Sequence, residues 1–264
     1  MINDVTGIRG KVESRLGEYL SEGKLKELWH GKNPEIIDDG ILDVSTWMKL
    51  GKTERILWLL KEHNGPAPVY GDPATNSADK NRMRLFGDMY HDGNGGVASQ
   101  VGVRFRKNVN RFRTLKLIEL ASHAIQESEY PSDVLYSVVS RADATYRKLC
   151  VVEVGKTPGK RRTSPKRLRL LCRAWGDIVR LQIEEYDPGI VISTGPQLEY
   201  LYQEKDIGSK LSIKFKSSYV DRYCFDGRIW LRTYHPGYLK IDRLDWVRAI
   251  AQAMGIAGKN VGGV

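Results

Sequence analysis

Four short apolar runs, each followed by polar residues, predict the strands of a buried parallel sheet. The strands are expected at Arg55–Leu60, Lys148–Val154, Ile190–Thr194 and Ile229–Tyr234, with a further candidate at Leu211–Phe215. Segments with apolar residues at helical spacing predict the helices. These are residues 11–29, Arg82–Tyr90, Arg113–Gln126, Lys166–Glu185 and Arg243–Met254. Strands that alternate with helices are typical of a doubly wound α/β sheet.

The predicted fold is α/β: a three-layer α/β/α domain around a central, mostly parallel four-stranded sheet. We expect residues 1–50 to form an N-terminal helical extension, residues 51–255 to form the domain and the Gly-rich residues 256–264 to be a flexible tail. Ligands of such sheets bind beyond the carboxyl ends of the strands. The segments to examine are therefore 61–65, 153–159, 194–195 and 234–240.

Composition narrows the class of partner. The chain has 264 residues and a formal net charge of +10, which favours a polyanion through steering and counterion release. Its cysteines, Cys150, Cys172 and Cys224, form no CxxC pair, so we expect neither a disulfide framework nor a four-thiolate metal or iron–sulfur site. We also expect a cytoplasmic protein, because neither a secretory signal nor an apolar run approaching the ~18 residues of a membrane span is present. We expect it to be a monomer.

A basic segment follows the second predicted strand, and its first part, residues 155–162, is predicted to be a loop. Residues 156–173 hold eight Lys or Arg and no acid, and the segment includes Gly, Pro and the helix start Ser164-Pro165. Backbone N–H groups and a helix N-terminus can approach phosphate there. The alternative is a solvated charged face, but the absence of any compensating acid favours phosphate contact.

The last predicted strand ends in Tyr-His-Pro-Gly-Tyr, residues 234–238. Pro and Gly make a sharp turn that fixes His235 at the strand end. Tyr234, Tyr238 and Leu239 add faces that can stack on bases or wedge between them. A lone histidine is more often structural, but a His-Pro-Gly turn with aromatic neighbours is a stronger signal for a site.

Polar side chains also follow the first two predicted strands. The first strand runs into Lys-Glu-His-Asn-Gly, where Glu62 or Asn64 could position a water molecule. The alternative there is a polar loop with a turn-forming Asn-Gly pair. The second strand places Glu153 after Leu-Cys-Val-Val, and a carboxylate there needs a partner if it is buried. Its alternatives are an exposed strand terminus and a salt bridge to a lysine.

Together these segments resemble the uracil-DNA glycosylase superfamily. The resemblance lies in His235-Pro236-Gly237, in the segment 153–158, in the strand–helix unit 188–195 and, loosely, in 60–65, and it covers roughly residues 50–255. It implies a parallel-sheet α/β fold, DNA as the partner, base flipping, and hydrolysis of an N-glycosidic bond to an abasic site without a cofactor.

The resemblance also implies roles for individual residues. His235 would bond the pyrimidine O2, and Glu62 or Asn64 would position the attacking water. Lys61 keeps a strand-cleaving lyase step possible. The candidates to stack on the flipped base are Tyr70, Phe86 and Tyr90. The expected DNA contacts are Lys156, Lys160, Arg161, Arg162, Lys166, Tyr238, Leu239 and Lys240, of which Tyr238 or Leu239 would fill the gap left by the base.

Glu153 stands where the family carries an asparagine that reads the pyrimidine edge. An amide matches the N3–H donor and O4 acceptor of uracil. A carboxylate accepts from the N4 amino group of cytosine, and a protonated one could donate to N3. Excision of ordinary cytosine would destroy the host genome, so we expect a modified cytosine. The resemblance, which extends to bacterial relatives that defend against phage, implies glucosylated hydroxymethylcytosine of phage DNA as a candidate.

Three other functions fit parts of the pattern. The chain could be a uracil repair glycosylase, a catalytically inactive family member that binds DNA, or a hydrolase or transferase that binds free nucleotides with the same basic segment.

Overall fold

The computed structural model describes residues 11–12, 14–15, 17–18, 36–64, 82–84, 113–130, 142–159, 163–202, 212–238, 240 and 242–256. In chain order the strands are β1 (Ile36–Asp38), β2 (Gly40–Ile41), β3 (Ile56–Asn64), β4 (Arg82–Arg84), β5 (Leu149–Gly159), β6 (Ile190–Ser193), β7 (Ser212–Lys216), β8 (Val220–Phe225) and β9 (Arg228–Thr233). The α-helices are α1 (Val44–Trp47), α2 (Arg113–Gln126), α3 (Ala142–Arg147), α4 (Pro165–Tyr186), α5 (Gln197–Leu201) and α6 (Arg243–Ala253).

A seven-stranded sheet in the order β2-β5-β3-β6-β9-β8-β7 forms the centre of the fold. Its four middle strands, β5, β3, β6 and β9, are mutually parallel, and these are the four strands that the sequence predicts. β2 adds an antiparallel edge on one side, and β8 and β7 add two antiparallel strands on the other. The predicted α/β class with a mostly parallel sheet is confirmed, whereas the predicted number of four strands is wrong.

Helices cover both faces of the sheet, and side chains of the middle strands alternate between two cores. Ile56 and Trp58 of β3 pack in the core on one side, against α2, α3 and α6, which we call the α2 face. Leu57 and Leu59 pack on the other side, against α1, α4 and α5, which we call the α4 face. Burial on both faces explains why these strands are continuous apolar runs in the sequence.

The longest helix, α4, begins and ends where its sequence predicts. The Ser164 hydroxyl accepts a hydrogen bond from the Arg167 N–H, and Pro165 occupies the first turn. Removing such a cap typically costs about 0.5–2 kcal/mol. The helix stops at Asp187, whose left-handed conformation (φ 43°) forms the C-cap before Pro188-Gly189. This helix therefore starts near the carboxyl ends of the parallel strands, within the basic segment 156–173.

The N-terminal part of the chain differs from its prediction. The described residues between 11 and 18 are helical, but residues 36–41 form β1 and β2 instead of a helical extension. β2 pairs with β5, and a Cβ built on Gly40 (φ +136°) would lie 2.8 Å from the Tyr186 hydroxyl oxygen. Only glycine fits this approach between the sheet edge and α4.

Two further predictions of local structure are wrong. Arg82–Arg84, expected at the start of a helix, is a strand that pairs with β1. The expected loop from Gly155 is a continuation of β5 as far as Gly159, where β5 stays paired with an equally extended β3.

The sequence predicts the hairpin between β8 and β9 only at its turn, Asp226-Gly227, whose positive φ angles (53° and 66°) suit a two-residue hairpin loop.

Candidate active site

The carboxyl ends of the four parallel strands share one edge of the sheet, and the chain changes direction there. From β3 it crosses to β5 on one side, and from β5 it returns to β6 on the other side of β3. Such a switch point leaves a crevice between the diverging connections. Lys61 near the end of β3, Gly195 after β6 and His235 after β9 lie at this edge.

His235 is held by hydrogen bonds within its own turn. The Tyr238 N–H donates to the His235 carbonyl oxygen at 2.8 Å, and the Gly237 N–H donates to His235 Nδ1 at 3.0 Å. Because Nδ1 accepts a hydrogen bond, a neutral imidazole must carry its proton on Nε2. The turn therefore fixes the tautomer and leaves Nε2–H as the donor of the ring.

The ring of His235 is neutral at physiological pH. Burial lowers its pKa to about 4 from the ordinary 6.5, and the positive charge of Lys61 acts in the same direction. Both effects penalise the imidazolium form. The side chain thus offers a hydrogen-bond donor without a positive charge.

The turn packs tightly against the first residues of α2. A Cβ built on Gly237 would lie 3.0 Å from the Thr114 hydroxyl oxygen and 3.1 Å from His235 Nδ1. This contact puts the turn on the α2 face and makes Thr114 part of the site. Sequence reasoning missed Thr114, because the contact joins residues far apart in the chain and no local pattern marks it.

Lys61 lies on the α4 face of the same edge. Its Cε is 3.7 Å from the position of a Cβ on Gly195, and Leu168 of α4 is 3.8 Å from that position. Gln197 is fully buried beside Gly195, and the Gln197 Nε2 donates to the Thr194 hydroxyl oxygen at 3.3 Å. The Gln197 Oε1 has no hydrogen-bond partner among the described residues. Sequence reasoning missed this amide as well.

Glu153 is buried, with 4% of its surface exposed, but it does not end its strand. It lies opposite Leu60 in the parallel register and follows Leu149 and Val151, which pack on the α2 face. Its backbone N–H donates to Asp39 Oδ2 at 2.5 Å. Alternation along β5 therefore directs the carboxylate to the α2 face, where the His235 turn also lies.

Lys156 is not presented to a ligand, so its predicted role as a DNA contact is wrong. Its side chain is 2% exposed, and its ammonium binds both carboxylate oxygens of Asp39 at 2.7 and 2.8 Å. Gln182 of α4 donates to the same carboxylate at 2.9 Å. The physical reason is that β5 continues through residue 156. The Lys156 side chain therefore points to the buried α4 face, whereas the prediction placed it in an exposed loop.

Exposed cations lie on the first turns of α4. Lys166, Arg169 and Arg173, which we call the α4 basic patch, flank the exposed Leu170 and line a shallow surface groove. The Arg169 guanidinium lies over the Tyr200 ring, 5.0 Å from its centroid. Lys166 and Lys240, two of the predicted DNA contacts, are thus exposed, as a residue that binds phosphate must be.

Several predicted site residues lie outside the described part of the chain. Glu62 and Asn64 belong to β3, in register with Gly155 and Gly159, but their side chains are outside the described set. The others outside it are Tyr70, Phe86, Tyr90, Lys160, Arg161, Arg162 and Leu239. Of the predicted residues, the structure brings Lys61 close to His235 and directs Glu153 to the same face as the His235 turn.

No family model matches this chain, and no curated protein matches it. Within the ranges given above, no helix is long and apolar enough to cross a membrane. In the same ranges, no cluster of three His, Cys, Asp or Glu side chains could hold a metal ion.

Proposed function

We propose that the protein is a DNA glycosylase that flips a modified pyrimidine out of DNA and hydrolyses its N-glycosidic bond, leaving an abasic site. The observation that carries this proposal is the mostly buried, neutral His235, whose turn fixes Nε2–H as a donor at the carboxyl edge of the parallel sheet. The agreement between these properties and the role implied by the His-Pro-Gly motif supports the function.

The chemistry needs a donor where negative charge develops. When the bond between the sugar C1′ and the base N1 breaks, its electron pair moves into the base and charge collects on O2, while the sugar becomes oxocarbenium-like. A hydrogen bond from His235 Nε2 stabilises that oxygen. A neutral imidazole does so without placing a second positive charge beside the sugar cation.

Water completes the reaction. Its oxygen bonds to C1′, one proton leaves the water, and the departing base is released as the free base after protonation. We assign the positioning of this water to Glu62 or Asn64, two of the polar residues at the end of β3, which lies between β5 and β6 in the sheet. The product is an abasic site, and these steps require only water and protons beyond the side chains named.

Glu153 supports a cytosine-type base as the substrate. β3 and β6 lie between β5 and β9, so the backbones of the two outer strands are separated by about 14 Å, three spacings of ~4.8 Å. A pyrimidine ring with a glutamate on one edge and a histidine on the other can bridge such a gap. A buried carboxylate accepts a hydrogen bond from the N4 amino group, which uracil lacks.

The surface around the edge supports DNA as the partner. The α4 basic patch and Lys240 offer exposed cations for phosphates, and the whole chain carries a net charge of +10. Tyr238 is exposed directly after the His235 turn and is our candidate to fill the gap left by the flipped base. Lys160, Arg161, Arg162 and Leu239 stay predicted contacts.

The test uses oligonucleotides that carry uracil, hydroxymethylcytosine or glucosylated hydroxymethylcytosine at one position, followed by alkaline cleavage at abasic sites. We expect cleavage at a modified cytosine, and loss of that cleavage in His235→Ala. Cleavage at uracil alone would contradict the assigned base. Tight binding without any abasic site, unchanged by His235→Ala, would instead identify a DNA-binding protein without glycosylase activity.

A further inference from the structure

Two exposed tyrosines flank the His235 turn and stack on each other. Among the described residues, four large apolar side chains are exposed, and Tyr234 (46% exposed) and Tyr238 (45%) are two of them. Their ring centroids are 5.7 Å apart, and their planes differ by 17°. We call these two rings the tyrosine pair. Exposed aromatic surface that is both paired and adjacent to a candidate site calls for a binding partner.

The turn between the two tyrosines holds them rigidly. Pro236 is buried, and the hydrogen bond from the Tyr238 N–H to the His235 carbonyl closes the turn at 2.8 Å. A Cβ on Gly237 would meet both Thr114 at the start of α2 and the His235 ring, so the turn is closely packed. The rings therefore stand at a fixed place relative to His235, and little conformational entropy is lost when a ligand stacks on them.

The geometry of the pair selects how a flat ligand binds. Two aromatic planes that enclose a third ring must stand roughly 7 Å apart, and the centroids of the pair are closer than that. A base therefore stacks on the outside of the pair, which presents an offset aromatic surface. Such stacking accepts every base, because each one has a π face.

The charges near the pair indicate that the flat ligand belongs to an anionic strand. Lys240 is exposed two residues after Tyr238, and the positive charge of Lys61 on β3 acts on His235, which lies between the two tyrosines in the chain. An aromatic surface with cations beside it is the arrangement by which proteins hold single-stranded nucleic acid.

We propose that the tyrosine pair binds an unpaired base of a DNA strand, next to the nucleotide that enters the site. The inference rests on the proposed function for its choice of DNA and extends it by naming the strand class: single-stranded DNA, or a locally opened duplex. A base stacked on the pair holds the strand open beside His235. The protein consequently binds unpaired DNA more tightly than a closed duplex.

Fluorescence anisotropy over a salt series tests this proposal. The probes are a fluorescein-labelled oligothymidylate, a duplex of the same length and an oligouridylate. The proteins are the full-length chain, Tyr234→Ala, Tyr238→Ala and the double variant Tyr234→Phe/Tyr238→Phe, which keeps both rings. Ile213→Ala is the matched control, because Ile213 is an exposed apolar residue (54%) on the edge strand β7, two strands away from β9.

We expect each alanine variant to weaken binding of the oligothymidylate by about fivefold or more, without a change in salt slope. The double phenylalanine variant and Ile213→Ala should bind like wild type, and the duplex should bind more weakly than the single strand. Equal affinity of wild type and alanine variants for the single strand, tighter binding of the duplex, or tighter binding of the oligouridylate would overturn the proposal.

This readout is independent of catalysis. A protein that leaves every base in place but loses affinity for single strands in the alanine variants would contradict the glycosylase and support the tyrosine pair. A protein that makes abasic sites but binds single strands equally well without the tyrosines would support the glycosylase and contradict the role of the tyrosine pair.

Discussion

His235 combines two properties that a donor to a developing oxyanion needs, a fixed tautomer and a neutral ring, and each has its own physical cause. The hydrogen bond from Gly237 fixes the tautomer, burial removes the charge of the ring, and Lys61 adds electrostatic pressure against protonation. The sequence predicts His235 as a site residue from its Pro-Gly turn. It cannot supply the tautomer or the pKa, because these depend on a backbone N–H and on neighbours brought together by folding.

Removal of the Lys61 charge should raise the pKa of His235. The lysine favours the neutral ring, so Lys61→Met removes part of the downward shift while burial keeps the rest. We expect NMR titration of the imidazole to give a pKa of about 4 in wild type and a higher value in the variant. The acid limb of any activity that requires neutral His235 should move upward with it.

Lys166→Met is the control for that titration, because it removes an exposed positive charge on α4. The control should leave the pKa of His235 at its wild-type value. A His235 that titrates near 6.5 in wild type, or that does not respond to Lys61→Met, would contradict this description of the site.

Gly237→Ala should impair the site without unfolding the protein. The new methyl group would meet the Thr114 hydroxyl and the His235 ring at about 3 Å, so the ring must move away from its hydrogen bond. We expect a loss of base excision of about 10- to 100-fold, typical of a displaced catalytic group, with a nearly unchanged melting temperature. Gly17→Ala is the control, since nothing lies within 4 Å of its Cβ position. Equal activity of the two variants would show that the close packing of the turn is unimportant.

At the scale of elements, Asp39, which directly precedes the edge strand β2, forms hydrogen bonds with both β5 and α4. Its carboxylate accepts hydrogen bonds from the Glu153 backbone, from Lys156 and from Gln182. Asp39 and Lys156 are 1% and 2% exposed, so each charge depends on the other. This pair holds the backbone of β5 at the residue that we assign to base reading.

Asp39→Asn should destabilise the fold strongly, because it leaves the Lys156 ammonium buried without a countercharge. We expect a loss of about 3–5 kcal/mol in the free energy of unfolding by urea, and partial recovery in Asp39→Asn/Lys156→Met. Glu127→Gln removes the exposed ion pair with Lys148 and should cost less than about 1 kcal/mol. Similar losses in Asp39→Asn and Glu127→Gln would mean that the buried pair does not stabilise the protein.

The elements that the sequence predicts correctly are those with a strong local signal. β3, β5, β6 and β9 are apolar runs buried on both faces, and α4 has a Ser-Pro start and an Asp-Pro-Gly end. The missed strands lack such a signal: β2 has two residues, and β8 alternates only weakly. The pairing of β2 with β5 is a tertiary contact, and so is the ion pair that holds Lys156 away from the surface.

At the scale of the whole molecule, the exposed cations of α4 and the tyrosine pair both follow strands of the parallel set. The α4 basic patch follows β5, and the tyrosine pair follows β9. Under the proposed function, the net charge of +10 attracts nucleic acid from any direction, and the arrangement of these groups directs the nucleic acid to the carboxyl edge.

Neutralisation of the α4 basic patch should weaken DNA binding by removing cations that pair with phosphates. For Lys166→Gln/Arg169→Gln/Arg173→Gln we expect a smaller dependence of the binding constant on salt, by up to about 0.9 in the log–log slope for each phosphate that the protein no longer neutralises. The control removes the same charge near the opposite edge, in Lys49→Gln/Lys52→Gln/Lys148→Gln, since these residues precede β3 and β5. Equal slopes for the two triple variants would show that net charge, not the patch, determines binding.

The most direct test of the central claim is detection of the released base by mass spectrometry under single-turnover conditions. The oligonucleotide carries glucosylated hydroxymethylcytosine, and the enzymes are wild type and His235→Ala. We predict that wild type releases the free modified base and that the variant does so about 100-fold more slowly or worse. No release of any base by wild type, or equal rates in the two proteins, would contradict a glycosylase built around His235.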